Sequence, residues 1–396
     1  MDINTRIYLK KKFQEYYSKE KIPAPREIEK REFGIGTLEK KIQIRHKSFS
    51  NEIELQNYLR REAPFFISYS SAYYEFPSNE PMSAKNFLYA DLIFDLDISM
   101  DFFDEEKLKI AKNEVLNLRD FLLDDFGFSQ QEISINFSGS KGYHVHVFSE
   151  KVKKLGSDER SEIIDYLSGH VDFNVFWYSD GVSIRGPKKT DTGWKGRFFY
   201  GLYNFIKNSD KKQFKSIPKI GEKKAEFLIA NRERILTELE NGVYDSLNGI
   251  AINFEMSDRS KKITQDPNIK YRIPKDEKIS SKLIQEIVME KAIKTLSLRD
   301  TDKMVTIDTS RLIRLPESLH GNSGLIAKKI SDIDKFNPLE DAIAFSNENV
   351  KIQILQKIPE FDFYHGKVGP FFEGVTKIPE ALAIYLLLRG YGNFLQ

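Results

Sequence analysis

The chain has 396 residues, of which 40% are hydrophobic, 13% aromatic and 30% charged, with a formal net charge of +2. This balance excludes an intrinsically disordered chain, and the length allows two domains, one inserted in the other. The absence of cysteine excludes disulfides, thiolate zinc sites and iron–sulfur ligation by this chain, and no apolar run is long enough to predict a membrane span.

Residues 5–20 alternate apolar and charged groups at helical spacing, and Pro23 and Pro25 end that helix. Arg31-Glu-Phe33 follows, then a strand-like run Ile42–His46 with Gln43 and Arg45 on one face. Asn51–Arg61 is expected as a helix, and Phe65–Ser71 as a buried strand. A loop through Pro77 and Pro81 leads to Asp91-Leu-Ile-Phe-Asp-Leu-Asp97. As a strand, this stretch sends Leu92, Phe94 and Leu96 to one face and Asp91, Ile93, Asp95 and Asp97 to the other. A long amphipathic helix is predicted over Asp104–Phe126. Strands at Ile133–Phe137 and His144–Phe148 then flank the turn Gly139-Ser-Lys-Gly142, and a helix follows at 158–167.

The texture changes between about 205 and 296, where lysines dominate and helical patterns at 221–240 and 279–297 replace strand signals. The expected organisation is a core of 1–204 and 297–396 interrupted by a helical insert, 205–296. A faint helix-hairpin-helix likeness at Ile217–Phe227 lacks its first glycine, which is Lys219, and an amphipathic helix is the preferred reading. Strand-like texture returns at Met304–Ile307, just after Asp302. It leads into Arg311-Leu-Ile-Arg-Leu-Pro-Glu-Ser-Leu-His320 and the turn 321–324. A C-terminal apolar helix, Ala381–Leu388, is expected to pack on the main sheet.

Two adjacent carboxylates, Asp95 and Asp97, repel each other unless a cation lies between them, and hard divalent ions take such oxygen ligands. The alternative is a strand with two solvated acids. Glycines around Ser138, Ser140 and Lys141 suit a phosphate nest, although the same turn serves an ordinary hairpin. His144 and His146 are either satisfied strand residues or a metal pair. Arg311 and Arg314 either brace nearby acids or, with His320, offer cationic donors to a triphosphate. Carboxylates for a metal together with cations for phosphate point to phosphoryl or nucleotidyl transfer. The remaining histidines, His46, His170 and His365, show no convergent partners.

Phe94-Asp-Leu-Asp97, Ser138-Gly-Ser-Lys-Gly-Tyr-His144, Asp302-Lys-Met-Val-Thr306 and Arg311–His320 occur in that order. Together they resemble the small, catalytic subunit of the archaeal and eukaryotic type of DNA primase, the archaeal form above all. Arg31-Glu-Phe33, Ile44-Arg-His46, Tyr69-Ser-Ser-Ala72 and the ending Ile378–Gly390 extend the likeness over nearly the whole chain outside the insert. The resemblance implies an α/β (α+β) core with an RRM-like mixed or antiparallel sheet, interrupted by a helical subdomain. It implies that Asp95, Asp97 and Asp302 bind Mg²⁺ or Mn²⁺, and that Ser138, Ser140, Lys141, His144, Arg314 and His320 line the nucleotide triphosphate. Glu32, Arg45 and Arg311 are further active-site candidates. In the family, a longer polar or basic residue often stands at the position of Ser140, and an arginine at that of Lys141.

The implied activity is de novo synthesis of short primers on single-stranded DNA from NTPs or dNTPs. The implied partner is a large subunit carrying an iron–sulfur domain, and the expected location is cytoplasmic and nucleoid-associated, with no membrane association. Two competitors stand beside this reading: a repair or end-joining polymerase of the same superfamily, and a non-catalytic nucleic-acid-binding scaffold. Relatives commonly carry a cysteine-based zinc site after the D-x-D strand. Here Asp101-Phe-Phe-Asp104 runs straight into a helix, so no structural zinc is expected, and packing of Phe102 and Phe103 against neighbouring strands is expected in its place.

Overall fold

The computed structural model describes residues 1–169, 173–180, 182–217, 220–247 and 303–395. Asp302, His170, Lys219 and the expected helix at 279–297 lie outside the described residues. The chain divides into two compact units. Met1–Arg119, Phe128–Ile164 and Arg299–Gln396 form the first, and Asp120–Gly127 with Asp165–Leu298 the second. The expected boundary at 205 therefore moves to Asp165. Among the described residues no helix is long and apolar enough to cross a membrane.

In chain order the first unit begins with α1 (Ile3–Lys19), whose first turn is capped by the Asp2 carboxylate accepting from Thr5 N at 2.8 Å. There follow β1 (Phe33–Gly36), β2 (Ile44–Lys47), α2 (Glu52–Glu62, capped by Asn51) and β3 (Phe66–Ser70). A short hairpin, β4 (Ala72–Tyr74) and β5 (Phe87–Ala90), precedes the acidic strand β6 (Leu92–Asp97). Next come α3 (Glu105–Asp120), β7 (Ile133–Phe137), β8 (Gly142–Val147) and α4 (Ser157–Leu167). The regular part of α3 stops six residues before the expected Phe126. A π-type turn over Phe121–Asp125 replaces it, with Phe126 N donating to Phe121 O at 3.1 Å.

The second unit holds β9 (Tyr178–Ser179), β10 (Ile184–Arg185), α5 (Gly193–Asn208), α6 (Lys211–Lys215), α7 (Glu222–Ala230) and α8 (Arg232–Glu240). α5 explains the shifted boundary. It buries Trp194, Phe198, Phe199, Leu202 and Ile206 and packs on α8 and on the turn at Phe121–Asp125, all within that unit. The sequence texture registered the lysine-rich stretch after α5, but α5 itself carries enough aromatic residues to pass for core.

The first unit resumes with α9 (Lys303–Ile307), β11 (Leu312–Arg314), β12 (Lys329–Ile330) and α10 (Pro338–Asp341). It closes with β13 (Asn349–Ile354), β14 (Phe361–Phe363), β15 (Gly366–Val368), β16 (Gly374–Pro379), α11 (Glu380–Leu388) and β17 (Gly392–Phe394). α9 stands where strand texture was expected. Four or five residues are too few to separate a period of 2 from one of 3.6, and here the adjacent Val305 and Thr306 are both buried.

The described strands pair antiparallel throughout, in an α+β arrangement. Two four-stranded sheets run in the orders β11-β3-β1-β2 and β12-β7-β8-β6, and a third has the order β16-β13-β17. α11 is buried at every position and packs on β13, β16 and β17, so the C-terminal helix serves the third sheet rather than the sheet of β6. Phe102 and Phe103 also pack on this C-terminal region. The Phe103 ring lies 4.9 Å from Tyr385, and the Phe102 ring 4.9 Å from Phe361 and 5.2 Å from Tyr391.

β6 is an edge strand, and side chains reach backbone carbonyls at its start and just before it. Thr306 Oγ1 donates to Ile93 O at 2.7 Å, and the Arg160 guanidinium donates to Ala90 O and Asp91 O at 2.9 and 3.0 Å. The Asp91 carboxylate, expected on the open face with the other acids, is 1% exposed. It pairs with the buried Arg31 guanidinium at 2.5 Å and accepts from Tyr73 Oη at 3.0 Å, while Arg31 also donates to Ser70 O and Ser71 O. An unpaired charge buried there would be costly, so this cluster pins the end of β3 to the start of β6.

Candidate active site

The β6–β8 register places Asp95 opposite His144 and Asp97 opposite Gly142. His144 Nε2 lies 3.6 Å from Asp95 Oδ1. Gly142 is required by space: a Cβ there would overlap the Asp97 carboxylate and the Leu96 carbonyl and stand 2.8 Å from Asp97 Cα. The turn between β7 and β8 is closed by Ser138 N donating to Gly142 O at 2.9 Å and Gly142 N donating to Ser138 Oγ at 3.2 Å. Its Gly139 has a left-handed φ of +82°, and a Cβ on it would stand 2.8 Å from His320 Cβ.

The other sheet contributes Arg314 through β11, in register with Ser68 on β3. The Arg314 guanidinium lies 4.9 Å from the Phe66 ring, and its buried Nη1 has no hydrogen-bond partner among the described residues. Burial pushes its pKa down to about 10. His320 packs edge-on to the same ring at 5.6 Å. Its Nδ1 accepts from Asn322 N at 3.2 Å, which leaves the proton of the neutral ring on Nε2.

Burial first, and then neighbouring Arg314, holds the pKa of His320 well below the ordinary histidine value. Burial, then His146 and Arg314, does the same for His144. Both rings are therefore neutral at pH 7. His146, one pleat along from His144, is pushed down to about 3 chiefly by burial, and its Nδ1 lies 3.4 Å from Tyr69 Oη.

Asp95, Asp97, Ser138, Ser140, Lys141, His144, Arg314 and His320 all line one cavity of about 330 Å³. Among the described residues no three His, Cys, Asp or Glu side chains cluster closely enough to hold a metal ion. Asp95 and Asp97 are the described side chains that could hold a metal here. Both are hard oxygen donors on the cavity wall, a set that fits Mg²⁺ or Mn²⁺ sharing its shell with phosphate oxygens.

Three expected residues do not line this cavity. Glu32 is fully buried and held bidentately by Arg45 at 2.8 and 3.3 Å, with Lys85 3.7 Å away, so its charge is already matched. Arg45 Nη2 also donates to Ser310 O at 3.1 Å. Arg311 lies 3.7 Å from Asp308 as a half-exposed pair. Conversely, Lys41, Asn322, Phe102, Phe103, Tyr385 and Arg389 line the cavity without having been anticipated. The Arg389 guanidinium sits among three rings, 5.1 Å from Phe102, 5.3 Å from Tyr385 and 5.8 Å from Tyr391, and donates to Asp101 O. Only Asn322, inside the 321–324 turn, carried a local signal.

Residues 94–332 match the model of a protein family described as DNA primase small subunit. The DNA primase small subunit PriS of Methanosarcina barkeri is 35% identical over 435 residues, covering 100% of this chain and 98% of that protein. The PriS of Methanosarcina mazei is 36% identical over 432 residues, with 100% and 98% covered. That of Archaeoglobus fulgidus is 34% identical over 399 residues, with 98% and 99% covered.

Proposed function

The chain belongs to the DNA primase small subunit family, and on that footing we propose that it is the nucleotidyltransferase of a primase, starting short RNA primers on single-stranded DNA during replication. The observation that carries this reading is that one cavity brings the Asp95 and Asp97 carboxylates together with Lys141, Arg314 and two neutral histidines. In the reaction a 3′-hydroxyl oxygen forms a bond to the α-phosphorus of a bound nucleotide, the bond to the bridging oxygen breaks, and pyrophosphate leaves.

Asp95 and Asp97, with Asp302, would hold two Mg²⁺ or Mn²⁺ ions. Bound there, such ions supply activation of the attacking hydroxyl and neutralisation of the leaving group. Lys141 and Arg314 bind the triphosphate oxygens by charge-assisted hydrogen bonds, with Arg314 Nη1 already buried and unpartnered among the described residues. Ser138 Oγ accepts from Gly142 N, so its own proton is free to donate to a phosphate. His320 presents Nε2–H, and an arriving polyanion raises the proton affinity of both histidines, so they offset charge as it develops. The partner is a large subunit, and an iron–sulfur domain belongs to that partner, since this chain has no cysteine.

The test is primer synthesis on unprimed single-stranded DNA with NTP or dNTP sets, comparing wild type with Asp95→Asn. Unprimed synthesis that is lost in the variant, with the fold intact, is expected. Extension of pre-formed ends alone would favour an end-joining polymerase, and full activity in Asp95→Asn would overturn the site.

A further inference from the structure

The sheet β16-β13-β17 buries one face under α11 and leaves the other open. On β13, Ile352 and Ile354 are buried while Lys351 and Gln353 are exposed; on β16, Ile378 is buried while Val375 and Lys377 are exposed. The register sets Lys351 directly opposite Lys377, and Gln353 opposite Val375. Beyond β13 the face continues through Lys357, whose Nζ lies 5.7 Å from the ring of Phe372, itself 64% exposed. Among the described residues none of the three lysines makes an ion pair, and the exposed Glu373 does not reach them.

Two like charges set opposite each other across a sheet destabilise it, so this pair costs stability in the free protein. A face meant only for water has no need of an exposed phenylalanine and valine beside the lysines. The interior of a protein–protein interface is depleted in lysine, which argues against a protein occupant. Lysines spread over one open face with an aromatic ring at its end is a pattern that holds single-stranded nucleic acid: cations track the phosphates and the ring stacks on a base. From Lys351 to the end of β13 at Ile354 the strand covers roughly 10 Å, and Lys357 extends the face beyond it, enough for two or three phosphates. The near-neutral net charge of +2 means that any such basic surface must be local, as this one is.

We propose that this face binds single-stranded nucleic acid, with Lys351, Lys377 and Lys357 on phosphates and Phe372 stacked on a base. It shares no residue with the nucleotide cavity, so it can be tested without catalysis. Binding of a labelled single-stranded oligodeoxynucleotide is measured against salt concentration for the full chain in an Asp95→Asn background, with and without Lys351→Gln plus Lys377→Gln, and separately with Phe372→Ser. All three positions are exposed, and unchanged melting temperatures confirm folding.

Each lost phosphate contact lowers the slope of log K against log salt by about 0.7, so the double variant should lose about 1.4. Phe372→Ser should weaken binding about 5- to 100-fold with the slope unchanged. Unaltered affinity and slope in both variants would overturn the proposal. If the same variants then failed to bind the large subunit, the face would be a protein interface instead. Failure of Asp95→Asn to abolish synthesis would count against the cavity reading alone.

Discussion

Replacing Gly142 by alanine tests how the acidic strand is placed. The backbone at Gly142 is ordinary strand, so alanine meets no conformational penalty there and the objection is space alone. Its Cβ would stand 2.8 Å from Asp97 Cα, besides overlapping the Asp97 carboxylate and the Leu96 carbonyl oxygen. Ordinary van der Waals contact begins near 3.4 Å, so β6 must retreat from β8 by at least about 0.6 Å at the Asp97 end. Because the crowding involves backbone, rotation of the carboxylate cannot relieve it.

Overpacking of this kind costs about 1–3 kcal/mol of stability. Misplacing a reacting group by about 1 Å costs on the order of a hundredfold in rate. Gly142→Ala should therefore fold, melt at a somewhat lower temperature and lose one to two orders of magnitude in kcat for nucleotide incorporation, with the nucleotide KM changed little. Gly139→Ala makes the contrast. Its crowding falls on His320 Cβ, and φ at that position is +82°, so nucleotide KM should rise more than kcat falls. Wild-type kcat in Gly142→Ala would refute the reasoning that an absent side chain sets the position of Asp97.

Phe103 is buried against Tyr385 and Phe363, so Phe103→Ala should cost about 3–5 kcal/mol and Phe102→Ala less, read by chemical denaturation. We further propose that this aromatic cluster replaces a structural zinc: elemental analysis should find no stoichiometric zinc, and a chelator should stop synthesis without lowering the melting temperature. Buried His144, His146 and His320 have folded-state pKa values depressed below 6.5, while the unfolded chain takes up a proton on each near that pH. Their contribution is therefore fully present above pH 6.5 and is lost as pH falls below it, by about 1.4 kcal/mol per pH unit for each histidine. Denaturation midpoints measured from about pH 7 to pH 5 should fall accordingly and flatten in His146→Phe; a level profile in the wild type would contradict the burial argument.

Much of the site was legible because its parts are local. Period-2 alternation put Asp95 and Asp97 on one face of a strand, the glycines marked the 138–142 turn, and the spacing from Arg314 to His320 survived intact as a motif. The same alternation misled at Asp91. By parity it belongs with the two open acids, yet Arg31, Tyr73 and the chain around Arg160 close over that end of β6 and leave only the Asp95–Asp97 end open. Glu32 and Arg45 were expected as further active-site residues, but they hold each other bidentately and do not line the cavity.

Sequence by itself determined the element types wherever a pattern ran long enough to display its period, and it determined which residue chemistries were available: paired acids, a glycine turn, scattered cations and no thiols. Tertiary structure alone decided which cations meet those acids. Lys41, Arg389 and the Phe102–Tyr385 wall come from segments hundreds of residues apart, joined by sheet register and by the packing of α11. It also decided that α5 belongs to the helical unit and that Met304–Ile307 coils beside β6. The physical reason is range: backbone periodicity and turn chemistry act over a few residues, whereas burial and charge pairing are set by whichever distant segment closes over a side chain.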